Sequence, residues 1–205
     1  MIIHNIDQHS EAWHEVRCGR ITGTRFKSLV AKETTDTYKD LLTNIACEII
    51  TQRAEETYSN ANMEKGLEME PIARIFYEEI TGNKVKTVGF ISPDEDTEFE
   101  DWIGISPDGL IEDGMIEIKC PLMKTHMGYI MWNQLPSEYR YQVQGQLFVT
   151  GLKFCDFMSF VEDMKPFIIR VYPEPELFTF FEQRLRIAIP QVKELLNQYH
   201  KYDYE

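Results

Sequence analysis

No stretch of this 205-residue chain approaches the ~20 consecutive apolar residues of a membrane-spanning helix, and the polar N-terminus is not a signal peptide. A membrane partner is therefore not expected. Cysteine is scarce: Cys18, Cys47, Cys120 and Cys155 are scattered, with no C-x-x-C pair. That argues against a zinc site and for a reducing, cytoplasmic setting. Internal repeats and low-complexity tracts are absent, so nothing divides the chain, and 1–205 reads as a single domain large enough to bury a core. Positive charge is in deficit, with 21 Lys and Arg against 34 Asp and Glu and a net charge of −13. Proteins that grip phosphate backbones usually show basic surface, but net charge says little about local fields. Six of the eight residues in 94–101 are acidic, whereas 16–32 and 118–137 contain no Asp or Glu. The first acid-free segment carries Arg17, Arg20, Arg25, Lys27 and Lys32, and the second carries Lys119, Lys124 and His126. Nucleic acid is not excluded.

What is present centres on residues 102–121, WIGISPDGLIEDGMIEIKCP. Two short strands are expected there, joined at Asp113-Gly114, a dipeptide suited to the positive φ of a tight hairpin turn. A two-residue turn at that dipeptide pairs Glu112 with Met115, Leu110 with Glu117, and Asp108 with Lys119. Opposed residues share a face, as do i and i+2 along a strand. Asp108, Glu117 and Lys119 then converge on one side and Ile111, Ile116 and Ile118 on the other. Two carboxylates and the Ile118 backbone carbonyl form a hard-oxygen set of the kind Mg²⁺ prefers. A metal so held acidifies bound water and offsets charge on a scissile phosphate. Lys119 would orient the water, take its proton, or stabilise the transition state. The same spacing also fits a solvated strand face, since such motifs recur by chance.

Elsewhere the pattern is helical before the hairpin and mixed after it. Ser10 caps a short helix bearing Trp13 and Val16. The loop RCGRITGTRF, with glycines, hydroxyls and arginines ahead of a helix containing Phe26, Leu29 and Val30, fits an anion-binding turn. It equally fits an ordinary capped turn. A core helix is expected over 38–53, and a polar loop over 55–62. The next helix, over 63–81, puts Ile72, Ile75, Phe76 and Ile80 on its apolar stripe. Pro71 is tolerable only near its start or with a kink, and Glu70 reads as plain surface. A strand over 84–92, helices over 125–132 and 139–150, an antiparallel pair over 155–161 and 166–171, and a long helix over 174–202 interrupted at Pro190 complete the chain. The fold class is α/β or α+β, with one central mixed, largely antiparallel sheet flanked by helices.

With these residues in view, the chain resembles the lambda-exonuclease (YqaJ-like viral recombinase) family of the PD-(D/E)XK nuclease superfamily, over residues 12–150. AWHEVRCGRITGT is similar to the family's opening motif, and GLEMEPIARIFYEEITG to its G-x-x-x-E helix. SPDGL and EIKCP resemble its two metal-site motifs, and YQVQGQLFVT its glutamine helix. The resemblance implies a PD-(D/E)XK nuclease-like core in which Asp108 and Glu117 bind Mg²⁺ (Mn²⁺ as an alternative) and Lys119 acts on the attacking water. It moves Glu70 to a metal-site position, direct or through water, and Gln142 to the motif glutamine. Arg17, Thr24 and Ser106 fall where the family binds the terminal 5′-phosphate. One further phosphate-contacting arginine of the lambda enzyme is replaced by Thr125, flanked by Lys124 and His126.

The implied activity is Mg²⁺-dependent 5′-to-3′ digestion of linear double-stranded DNA, leaving 3′ single strands. The family's homotrimeric ring and its single-strand-annealing protein partner are implied too, in a phage or prophage setting in bacterial cytoplasm. In such a ring the basic segments would line the channel while 94–101 faced outward. Two other readings share the site: a PD-(D/E)XK endonuclease, and a catalytically silent DNA-end-binding module.

Overall fold

The computed structural model describes residues 1–54 and 61–202, with 61–63 described as backbone only. The expected loop over 55–62 lies outside the described residues, save for its last two positions, which open a helix. Strand β1 (Ile2–His4) leads into α1 (Glu11–Arg17), where the Ser10 hydroxyl accepts from the Trp13 N–H as the expected cap. A 3-10 turn (Gly23–Arg25) runs into the short α2 (Phe26–Leu29), followed by α3 (Asp36–Thr51) and α4 (Ala61–Thr81). Strands β2 (Phe90–Ser92), β3 (Gly109–Ile111) and β4 (Gly114–Lys119) come next. Helices α5 (Met123–Trp132) and α6 (Ser137–Thr150), strands β5 (Phe154–Ser159) and β6 (Phe167–Val171), and α7 (Pro175–Lys201) complete the order.

The main sheet has the order β3-β4-β5-β6 and is mixed: β3/β4 and β5/β6 are antiparallel, β4/β5 parallel. A parallel neighbour needs a crossover, and α5 with α6 supplies it. One sheet was expected, but β1 and β2 form a second, two-stranded one. The expected strand over 84–92 shrinks to β2 and a single bridge from Lys86 to Leu110.

The two faces of the main sheet carry different helices because side chains alternate along each strand. Ile111, Ile116, Ile118, Met158 and Phe160 pack against Ala73 and Tyr77 of α4. Met115, Cys155 and Phe157 pack against Tyr129 of α5 and against Val143 and Leu147 of α6. The largest core lies beside the sheet, where α2, α3 and α7 bury Phe26, Ile45 and Phe181. Gly145 lets α6 approach α2 there, since a Cβ would sit 2.4 Å from the Phe26 ring.

Two helical expectations need correction. The α4 stripe is not core: Ile72, Ile75, Phe76 and Ile80 are 41–58% exposed, while Ala73 and Tyr77 are fully buried. The helix is turned by a polar anchor. The Tyr77 hydroxyl donates to Asp156 Oδ2 at 2.6 Å, and Arg170 closes on the same carboxylate with two bonds of 2.8 Å. Pro71 lies mid-helix, and Pro190 does not divide α7. Both prolines are exposed, so the carbonyl each leaves without a helical donor lies on the wet side.

Candidate active site

The hairpin forms, but in another register. Ile111 pairs with Gly114, Leu110 with Met115 and Gly109 with Ile116, two residues away from the expected pairing. Asp113 takes the left-handed turn position at φ 60°, so the loop is Glu112-Asp113. Gly114 belongs to the strand because a Cβ there would lie 2.5 Å from the Phe154 ring on β5. A two-residue slip preserves faces, whereas a one-residue slip would invert them. The expected grouping of Asp108, Glu117 and Lys119 therefore survives. One step beyond the ladder, Asp108 comes opposite Glu117.

Glu117 interrupts the apolar face of β4 at only 1% exposure. A carboxylate there needs dedicated partners, and α6 supplies two. Gln142 donates to Oε1, and Gln146, one turn on, donates to Oε2 at 2.6 Å. Lys119 adds a charged bond to Oε1. Asp108 Oδ2 accepts the Ile118 N–H at 2.5 Å. Since the N–H and C=O of one strand residue leave by the same edge, the Ile118 carbonyl faces the Asp108 side as well.

The electrostatics tie these groups together. Burial, and then the Glu117 charge, raise the Asp108 carboxyl well above the usual carboxylate range. Burial also raises Glu70, with Arg74 opposing and Glu117 reinforcing the shift, so Glu70 is a half-buried carboxyl within the field of Glu117 and not plain surface. For Lys119, burial pulls the pKa down, but Glu117 and Asp108 outweigh it and hold it above the ordinary lysine value. Glu70 and Asp108 line one side of a cleft of about 820 Å³, shared with His9, Arg74 and Lys86.

Among the described residues, no three His, Cys, Asp or Glu side chains are grouped to hold a metal by themselves. The donor set is two facing carboxylates, a neighbouring main-chain carbonyl, and Glu70 beyond them. That suits Mg²⁺, which keeps several waters and is commonly held by one or two carboxylates. It does not suit the closed nitrogen and sulfur shell of structural zinc.

A second cluster adjoins the first. Arg17 donates to Ser106 Oγ at 3.0 Å and stacks 4.0 Å from the Trp13 ring centroid. Trp13 Nε1 reaches the same oxygen at 2.9 Å, so the Ser106 proton remains available to donate outward. Arg20, Arg25, Arg74, Arg170 and Arg184 each meet a carboxylate, whereas Arg17 meets none among the described residues. Burial lowers the Arg17 pKa to about 10, with Arg25 acting in the same direction and the Glu48 charge opposing. A largely desolvated cation in direct contact with no carboxylate is a ready anion site.

Other members of the expected phosphate set are exposed side chains on other elements. Thr24 is exposed on the 3-10 turn, and Lys124 and Thr125 are exposed on α5. No hydrogen bond joins them to Arg17 or Ser106 among the described residues. His126 cannot stand in for an arginine, because it is fully buried between Ser159 Oγ at 2.7 Å and the Lys165 carbonyl at 2.9 Å. The expected basic channel lining is likewise reduced. Arg25 pairs with buried Glu48, and Arg20 is bound to the Glu100 carbonyl and Asp101, whereas Lys27, Lys32 and Lys124 are exposed.

Gln146 and Tyr139, neither among the expected site residues, join the cluster; the Tyr139 ring centroid lies 5.5 Å from the Lys119 ammonium. The signal for Gln146 was its i+4 spacing from Gln142 on one helix face.

Comparison with known proteins gives a consistent picture. Residues 12–153 match the YqaJ-like viral recombinase domain. An alkaline exonuclease from Laribacter hongkongensis (LHK-Exo) superposes with a TM-score of 0.83 at 31% identity, covering 94% of this chain and 97% of that one. The same enzyme in complex with dAMP gives 0.83 at 29% identity, over 93% and 96% of the two chains. A phage-related exonuclease from Haemophilus somnus 129PT shares the fold, with a TM-score of 0.68 at 16% identity over 88% and 96%. Among curated sequences no match is found.

Proposed function

Because the chain belongs to the YqaJ-like viral recombinase domain family, whose alkaline-exonuclease neighbours make it a nuclease acting on DNA, we propose that it digests linear double-stranded DNA from the 5′ end. The reading is Mg²⁺-dependent hydrolysis, one nucleotide at a time, leaving a 3′ single strand. The observation that carries it is the buried Glu117 carboxylate, facing Asp108 and flanked by Lys119 on one short hairpin.

In this reading Asp108, Glu117 and the Ile118 carbonyl hold Mg²⁺ or Mn²⁺, with Glu70 direct or through a water. The ion supplies an acidified water and offsets charge on the phosphate. Gln142 orients Glu117, and Lys119 orients the attacking water. The Arg17–Ser106 pair holds the terminal 5′-phosphate, with Thr24 at its edge and Lys124 and Thr125 as contacts to the strand beyond. Anchoring one phosphate would hold the next bond in register with Asp108, Glu117 and Lys119, which turns binding energy into position.

No helix among the described residues is long and apolar enough to cross a membrane. The proposed setting is the cytoplasm of a bacterium carrying phage or prophage, with a single-strand-annealing protein as partner. Ile72, Ile75, Phe76 and Ile80 on α4, and Met123, Met127, Met131 and Trp132 on α5, leave exposed apolar side chains on two helices, a feature that in this reading fits contacts between copies. They support a homotrimer.

Digestion with Mg²⁺ of three DNAs tests the function: linear duplex with 5′-phosphate, the same with 5′-hydroxyl, and closed circle. Loss of the phosphorylated linear form, much faster than the hydroxyl form and with the circle intact, is expected. Nicking of the circle would convert the reading to an endonuclease. Separately, Arg17→Ala is expected to shrink the phosphorylated-over-hydroxyl rate advantage by about tenfold or more, since a charge-assisted bond contributes roughly 1.5–3 kcal/mol. Its rate on 5′-hydroxyl ends should change little. An unaltered phosphate preference would remove Arg17 from the pocket.

A further inference from the structure

We infer that Gln146 is a positioning residue that restricts Glu117 to one metal-binding oxygen and so biases the site toward Mg²⁺ over Ca²⁺. The inference rests on the metal-dependent reading above.

The two oxygens of Glu117 have different surroundings. Lys119 and Gln142, both partly exposed, converge on Oε1. Oε2 meets Gln146 Nε2 at 2.6 Å, in a bond that is itself buried. Gln146 is 1% exposed, and its own Oε1 is buried with no hydrogen-bond partner. Leaving an amide oxygen unpartnered costs free energy. Turning the amide over would set that oxygen against a carboxylate, which is worse. The amide orientation therefore answers to Glu117.

Gly23 lies beside the stems of both glutamines, where a Cβ would meet Cγ of Gln142 and of Gln146 at an ordinary contact distance of 3.6 Å. An incoming cation can displace Lys119 and Gln142 from Oε1, because both have access to the cleft or to solvent. Displacing Gln146 would strand a buried donor. Oε1 is thus the oxygen released to an ion, while Oε2 stays bonded to the protein. Mg²⁺ demands near-octahedral geometry and short bonds, whereas Ca²⁺ accepts six to eight oxygens and readily takes both oxygens of one carboxylate. Holding back Oε2 penalises the larger ion.

The test is calorimetric titration of the DNA-free protein with MgCl₂ and, separately, CaCl₂. Gln146→Met keeps the volume and removes the donor. It is expected to weaken Mg²⁺ binding by about tenfold or more, the usual effect of losing a partner behind a metal ligand. Ca²⁺ binding should weaken less, so the Mg²⁺/Ca²⁺ affinity ratio falls. Gln144→Met is the control. Gln144 is equally buried on the same helix but bonds the Tyr172 carbonyl and the Glu174 N–H, so both affinities should stay at wild-type values. If the Met variant does not fold, Gln146→Asn withdraws the amide by one methylene and carries the same expectation. An unchanged ratio, or equal loss for both ions, overturns the inference. Wild-type Mg²⁺ affinity in Glu117→Ala would instead overturn the metal-site reading itself, a distinguishable outcome.

Discussion

Asp108→Asn is expected to lower Mg²⁺-dependent cleavage by on the order of 10³-fold or more, because the transition-state stabilisation a metal supplies is several kcal/mol and about 1.4 kcal/mol is a factor of ten. Glu117→Gln should do the same. The two differ in stability, which separates loss of chemistry from loss of fold. Asp108 lies under the repulsion of Glu117 and Glu70, its pKa driven up first by burial and then by those charges. Neutralising it relieves that repulsion and keeps an oxygen for the Ile118 N–H. Its melting temperature without metal should therefore match or exceed wild type. Glu117 is instead the acceptor for Lys119, Gln142 and Gln146. Removing one partner of a buried charge pair costs roughly 3–5 kcal/mol, so Glu117→Gln should melt lower than wild type and Glu117→Ala lower still. Retained Mg²⁺-dependent turnover in a folded Asp108 variant would sink the assignment.

That asymmetry was only half visible in the sequence. The grouping of Asp108, Glu117 and Lys119 was legible because strand alternation depends on parity, and the actual register differs from the expected one by an even number. The turn was misplaced because Gly114 serves a ring on β5, 40 residues later, which no local rule reports. The α4 stripe failed for a related reason. Periodicity identified an apolar face, but the buried face is set by Tyr77 reaching Asp156 on β5, 79 residues away. Charge was legible and its pairing was not. Arg17, Arg20 and Arg25 look alike in RCGRITGTR, yet Arg25 is spent on Glu48 of α3 and Arg20 on the 100–101 turn. Arg17 alone of the three lacks a carboxylate among the described residues. Glu70 shows the complementary case: its role was carried by the family resemblance, while its residue context alone suggested surface.

Lys119→Ala is expected to lower the rate of chemistry by about 10²–10⁴-fold, the range for a positioned acid–base group, while leaving Mg²⁺ binding intact by calorimetry. The reason lies in what Lys119 touches. It bonds Glu117 but supplies no metal ligand, since an ammonium has donors only. Without metal it is an ammonium, because Glu117 and Asp108 together outweigh the effect of burial. A proton acceptor needs the opposite balance, and a divalent cation between those carboxylates would cancel much of the field that holds the proton on. Two roles therefore make different predictions for Lys119→Arg, whose guanidinium stays charged at any working pH. If Lys119 stabilises charge and orients water as an ammonium, Arg should recover at least tenfold over Ala, with a pH–rate profile parallel to wild type. If Lys119 takes the water's proton, Arg should be as slow as Ala and should lose the rising limb of the profile. A Lys119→Ala variant with full single-turnover rate would exclude both.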